Sequence, residues 1–139
     1  MKLIKSLLII IFLILLTIIL LPIQSIIRLF NFSASYTIPM FYHRIILKLL
    51  SIKIKIVGTP SADASLIVSN HASWIDIFII SSIIHTSFVA KNDVSTWPFV
   101  SYLAKLQKTI FIDRNSPKKL TETSDIIKDR LLNHENVTI

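Results

Sequence analysis

The stretch SLIVSNHASWIDIFIISSIIHTSFVAK, residues 65–91, decides how the rest of this chain is read. Its first apolar residues, Leu66, Ile67 and Val68, make a run of the length of a short buried strand. The polar group from Ser69 to Ser73 interrupts it. From Ser73 or Trp74 to Ile84 the chain is continuous and apolar enough for a helix, and Ser87 to Ala90 reads as a second buried strand. Strand, helix and strand in this order form a unit whose strands run parallel. The loop at the first strand's carboxyl end carries His71, and Asp76 follows it on the helix.

Downstream the alternation continues. A helix is expected from Trp97 to Leu106, with Pro98 in its first turn, where a missing N–H is harmless. Thr109 to Ile112 reads as a third strand. Ser116 can cap a helix beginning at Pro117, with Leu120, Ile126, Ile127, Leu131 and Leu132 as its buried side. Asn136 to Ile139 begins a further strand, and without a following helix it is expected to leave one sheet face poorly covered. Upstream, Ile52, Ile54 and Ile56 alternate with Lys53 and Lys55 as in a half-exposed strand, which Gly58-Thr59-Pro60 would end. The expected class is α/β, a mostly parallel sheet flanked by helices and incomplete at its C-terminal end.

The first fifty residues are of another kind. From Leu7 to Ile27 only Thr17, Pro22, Gln24 and Ser25 break an apolar run, which is long enough to cross a bilayer core of about 30 Å. A secretory signal also begins with basic residues and an apolar run, but here no small-x-small cleavage site follows closely. Ser33-Ala34-Ser35, the nearest, lies beyond Arg28, Phe30 and Phe32. We therefore expect a retained anchor. Tyr36 to Ile52 is apolar with His43, Arg44 and Lys48 interspersed, a pattern that suits a helix in the headgroup zone or a core helix equally. Residues 1–50 are thus expected to be anchor and interfacial helix, and 51–139 the front part of an α/β domain. Lys2 and Lys5 precede the anchor. If both helices enter and leave one leaflet, the domain lies on the cytoplasmic side.

Composition removes several functions. The 139 residues contain no cysteine, so disulfides, thiolate nucleophiles and cysteine zinc sites are excluded. The single glycine, Gly58, cannot build a phosphate loop or a dinucleotide fingerprint. A net charge of +7 suits nucleic acid, an anionic membrane or a phosphate-bearing substrate. Nucleic acid is the poor choice, because the cations are scattered and an apolar anchor has no place in it.

His71 stands where open parallel sheets place their ligands. A histidine titrates near neutrality and can take the proton of an attacking alcohol. An aspartate accepting its other ring N–H fixes the tautomer and stabilises the imidazolium, and no serine is needed if the alcohol belongs to the substrate. Taken alone, a loop histidine is more often a structural hydrogen-bonder than a catalyst. The second segment, Phe111-Ile112-Asp113-Arg114, changes that. Arg114 ends another strand and offers a planar, permanently charged fork for a phosphate; its plain alternative is a surface arginine held by Asp113.

Together these segments resemble the phospholipid/glycerol acyltransferases, in particular the 1-acyl-sn-glycerol-3-phosphate acyltransferases. That family's first motif is matched by Asn70, His71, Ser73 and Asp76, and its second by Phe111, Ile112 and Arg114. Val89-Ala90-Lys91 and Trp97-Pro98 look like its connecting segment, and the N-terminal anchor also fits. The resemblance implies that His71 deprotonates the acceptor hydroxyl, which attacks an acyl thioester of coenzyme A or acyl carrier protein. It implies that Asp76 orients His71 and that Arg114, with Lys91, grips the acceptor phosphate, Asn70 and Ser73 shaping the loop. The implied partners are a lipid bilayer, lysophosphatidic acid and the acyl donor, which is a co-substrate; no metal or bound cofactor is called for. Two departures stand out. Ser101, Gln107 and Lys108 occupy a region usually richer in glycine, and the family's third motif, Phe-Pro-Glu-Gly-Thr, would follow only after Ile139. The alternative is therefore a truncated, inactive relative that binds membrane or phosphate without turnover.

Overall fold

Apolar runs become sheet only where a neighbour takes their backbone hydrogen bonds. The computed structural model describes residues 2–30, 33–70 and 72–139. Its strands are β1 (Leu66–Ile67), β2 (Thr86–Lys91), β3 (Ile110–Ile112) and β4 (Asn136–Thr138). All pair in parallel, in the order β1-β4-β2-β3. The helices are α1 (Lys2–Leu29), α2 (Thr37–Leu49), α3 (Trp74–Ile83), α4 (Val100–Leu106) and α5 (Pro117–Leu132). Short 3-10 turns occupy Ser33–Tyr36 and Asn92–Thr96. The α/β class with a parallel, helix-flanked sheet is thus the observed one.

The last strand enters the middle of the sheet. β4 pairs with Leu66 and Ile67 on one side and with Thr86 to Phe88 on the other, which leaves Val137 0% exposed. β1 is the outer strand, and its apolar residues are not the buried set the sequence suggested: Leu66 and Val68 are exposed. A groove between β1 and α5, lined by Leu66, Ile127, Leu131 and Leu132, stays open. Of the side expected to bury α5, Leu120, Ile126 and Leu132 remain exposed, and Thr123 is the buried residue.

Two expected elements differ. Residues 52–57 form no strand: the alternation is right, but no described strand lies alongside, and Val57 is 86% exposed. The helix expected from Trp97 begins at Val100. Val100 N–H donates to the Pro98 carbonyl at 2.6 Å and Phe99 has φ +63°, so a γ-turn delays the helix by a few residues.

The breaks in the apolar run of α1 mark where it meets the domain. Tyr42 hydroxyl donates to Thr17 Oγ1 at 2.7 Å, because the Thr17 proton already goes to the Leu13 carbonyl. Gln24 Nε2 donates to the carbonyls of Ser35 (2.7 Å) and Leu106 (3.3 Å). Ser25 Oγ meets Tyr102 hydroxyl at 2.7 Å. Thr17 meets Tyr42 within α2, whereas Gln24, two turns further along α1, meets Ser35 in the turn before α2, so α1 and α2 run antiparallel. Elsewhere α1 presents exposed apolar side chains, and it is the one described helix long and apolar enough to cross a membrane.

α2 packs on α3 through His43, Ile46 and Leu47, a helical spacing, and Arg44 Nε donates to the Ser82 carbonyl of α3 at 2.7 Å, while Phe41 and Lys48 are exposed. At the amino-terminal edge of the sheet Glu135 receives Lys108 at 2.5 Å and Arg130 beside it, with Lys108 Nζ 4.8 Å from the Tyr36 ring centre. Burial opposes ionisation of Glu135, but the hydrogen bonds from Lys108 and Arg130 prevail and hold its carboxyl below the ordinary value. This cluster lies at the opposite edge from the residues singled out for chemistry.

Candidate functional site

In a parallel sheet every strand delivers its following loop to the same edge. Register makes this concrete. Ile67 is level with Thr138 and, through it, with Phe88, while Lys91 is level with Ile112. Asn70, three residues past Ile67, therefore comes out level with Lys91, three past Phe88, and with the strand that leads to Arg114. Two strand spacings separate β1 from β2, about 10 Å at about 4.8 Å each.

His71 lies outside the described residues. Its neighbours are described. Ser73 caps α3, its hydroxyl accepting the Ile75 N–H at 3.3 Å. Asp76, the third residue of the helix, reaches back with Oδ2 to the N–H groups of Ser73 (2.7 Å) and Ala72 (2.8 Å). This is a capping box. The sequence therefore starts α3 with the residue that fastens the loop just after His71. The half-buried carboxylate is thus tied to the backbone of residues 72 and 73.

The two cations differ. Lys91 Nζ forms an exposed ion pair with Asp93 at 2.7 Å. Arg114 is exposed and has no ion pair among the described residues, since Asp113 is taken by Lys119 at 2.9 Å and by the Asn115 N–H. The hydrogen bond from Lys119, then that from Asn115, holds the Asp113 carboxyl below its usual range. The reading of Arg114 as a guanidinium held by Asp113 is thereby corrected.

Arg114, Lys91, Ser69 and Trp74 line the upper end of a cleft of about 820 Å³. Its walls are α1, α2, α3 and α4 over the face of β2, with Leu20, Leu21, Ile38, Phe88 and Leu103 among the apolar lining. Deeper in, His43 is buried between Ser81 Oγ (2.8 Å from Nδ1) and Gln107 Nε2 (3.2 Å from Nε2). Gln107 donates, so Nδ1 carries the ring proton and gives it to Ser81. Burial lowers the His43 pKa to about 4, and the ring is neutral. Such a cleft can take an apolar chain along its walls and an anionic group at its cationic end.

Sequence reasoning missed three of these features. His43 was noted only as a break in an apolar helix, though it shares its face with Ile46 and Leu47. Thr17 and Gln24 are seven apart, which on a helix marks one side and could have announced a protein-facing stripe. Trp74 and Trp97, whose rings stack at 5.7 Å and 13°, come from separate segments, and nothing in spacing joins them.

A parallel α/β domain with cations and the capped start of α3 at one sheet edge, above an apolar cleft walled by a membrane-type helix, fits a lipid-handling class of protein. Residues 53–139 match the family model described as Acyltransferase. The chain belongs to that family. Among its relatives, the lyso-ornithine lipid O-acyltransferase of Brucella abortus is 38% identical over 96 residues, covering 68% of this chain and 36% of that protein. The enzyme of the same name from Rhizobium meliloti is 30% identical over 128 residues, 91% of this chain and 44% of the other. The 1-acyl-sn-glycerol-3-phosphate acyltransferase of Neisseria meningitidis is 32% identical over 85 residues, 59% of this chain and 33% of the other. The chain spans between about a third and under half of the length of these curated relatives. No solved structure matches it.

Proposed function

We propose that this chain carries the front part of a lysolipid acyltransferase, which moves a fatty acyl group from a thioester of coenzyme A or acyl carrier protein to a lysolipid hydroxyl. The observation that supports the reading is the convergence of Ser69 and Trp74, which flank the His71 segment in sequence, with Lys91 and Arg114 at one end of an apolar cleft. His71 serves as general base, with Asp76 holding the loop and orienting the imidazole. The hydroxyl oxygen attacks the thioester carbonyl as His71 takes its proton, the C–S bond breaks, and the imidazolium gives that proton to the departing sulfur, so a thiol leaves and the base is restored. Arg114 binds the acceptor's phosphate, and Lys91, already paired with Asp93, is the lesser contributor.

We propose 1-acyl-glycerol-3-phosphate as the acceptor, giving phosphatidic acid, because a guanidinium without an ion pair among the described residues suits a phosphate. The names of the Brucella and Rhizobium relatives make lyso-ornithine lipid the acceptor to compare it with. The same reading places the protein at a membrane. From Thr17 to Ser25 α1 is fastened to the domain. That leaves residues 3–16 free to be surrounded by lipid, about 21 Å of helix against a core of about 30 Å. This supports a helix that enters one leaflet, with residues 1–50 as attachment and 51–139 as part of the catalytic domain. Lys2 and Lys5 favour the cytoplasmic face.

The test uses membranes containing the full chain, a labelled acyl thioester and either acceptor. Transfer to lysophosphatidate that disappears in His71→Ala is the expected result. Transfer that survives the substitution removes His71 as the base, and preference for lyso-ornithine lipid removes the phosphate assignment.

A further inference from the structure

Trp74 and Trp97 are the only tryptophans of the chain, and they stack against each other beside the upper end of the cleft. Stacking does not bury them: Trp74 is 55% and Trp97 42% exposed. Phe99, two residues on, is 58% exposed, and Tyr102 is exposed as well. The backbone contributes to this. Phe99 sits at the centre of the γ-turn with φ +63°, a conformation that bulky residues rarely adopt and that persists where the surroundings enforce it. A polar residue would suit an exposed turn better. Two stacked indoles, with Phe99 and Tyr102 following close after Trp97 in the chain and all four left open, are more than scattered surface residues.

We propose that this aromatic patch docks the mouth of the cleft onto an anionic lipid leaflet. Three observations favour a bilayer over other occupants. Tyr102 is hydrogen-bonded to Ser25, so the patch is tied to α1, the helix whose free end, residues 3–16, enters the lipid. Indole and phenol rings, apolar bodies with a polar edge, settle at the headgroup level of a bilayer. Arg114, at the same mouth, and the exposed Lys105 of α4 bring positive charge to it, while Asp93 is neutralised by Lys91. Docked this way, the cleft opens into the leaflet, and a lipid reaches it without passing through water. The inference rests on membrane attachment through α1 and not on the reaction.

Because both tryptophans belong to the patch, intrinsic fluorescence reports on it without a label. The full chain is mixed with vesicles of phosphatidylglycerol and phosphatidylcholine whose acyl chains carry bromine either near the headgroup or near the chain end. Emission shifted to shorter wavelength and quenched more strongly by the shallow bromines is the expected result, in Trp74→Phe and Trp97→Phe as in the parent. The double substitution Trp97→Ser with Phe99→Ser is expected to weaken vesicle partitioning about tenfold. Should that variant fail to fold, quenching of the parent chain still decides. Vesicles that sediment the protein yet leave its emission unchanged overturn the proposal, as does failure to sediment. A spectral shift produced by soluble acyl carrier protein and not by vesicles would make the patch a protein-docking surface and overturn it too. Quenching is read without turnover, so its failure and that of the proposed reaction are told apart.

Discussion

Asp76 Oδ2 accepts the backbone N–H of Ser73 at 2.7 Å, so the carboxylate assigned to the histidine is also the group that closes the capping box of α3. Two functions in one side chain can be separated by substitution. Asp76→Asn keeps an oxygen that can accept the loop N–H groups but loses the charge that would stabilise an imidazolium. Its stability to urea is expected to fall by under about 1 kcal/mol, and its transfer rate by about a hundredfold or more. Asp76→Ala should lose both, with about 1 kcal/mol of stability going with the cap. An Asn variant of full activity would leave Asp76 a structural cap only.

The inequality between the two cations makes a second test. Arg114 has no ion pair among the described residues, whereas Lys91 must release Asp93 before it can serve a ligand. Arg114→Ala is expected to raise KM for a phosphorylated acceptor roughly tenfold to a hundredfold, the range of a lost charged hydrogen bond. Lys91→Ala should change it by only a few-fold, as expected of an exposed pair. Steady-state kinetics at several acceptor concentrations separates the two. Equal effects would mean that Lys91 and Arg114 share the phosphate.

His43 predicts how stability depends on pH. Its folded pKa is about 4 because burial disfavours the cation, against about 6.5 in the unfolded chain. Between these values the unfolded state binds the extra proton, so stability rises with pH through this window and falls on acidification. The full effect is on the order of 3 kcal/mol, nearly all of it gained by the time the pH reaches about 6.5. Glu135 acts lower: its pKa is depressed, so its stabilisation is present above about 4.5 and is lost as pH falls further. Urea unfolding at pH 7 and pH 5 should differ in the parent chain and differ much less in His43→Leu. A parent chain equally stable at both would show His43 to be open to water.

What was legible in the sequence was local. Ser116 before Pro117 starts α5 where its side-chain oxygen said it would, and α3 begins at Trp74, within the expected start. The strand-end placement of Asn70, Lys91 and Arg114 also followed from the order of apolar runs. What was not legible depends on partners far away in sequence. The Ile52–Ile56 alternation has strand chemistry and no neighbour to pair with, and Trp97-Pro98 has helix-start chemistry undone by the turn at Phe99. No local pattern says that the last run slides between β1 and β2, or that Gln24 is bound by a carbonyl of α4.

The position of Val137 gives the last prediction. β1 touches the sheet only through β4, whose central residue is Val137, 0% exposed. The strand that presents the Asn70–Asp76 loop is therefore held by the strand at the far end of the chain. Val137→Ala removes two buried methyl groups and is expected to cost about 2 kcal/mol. Because β1 has no second partner, the loss should not spread evenly. Hydrogen exchange at Ile139, whose N–H donates to Ile67, and at Ser69, whose N–H donates to Ile139, should quicken more than at Ile110 to Ile112, where β3 pairs with β2 alone. Equal acceleration in β3 would mean that the sheet opens as one unit, and that β4 does not act as the clasp of the histidine loop.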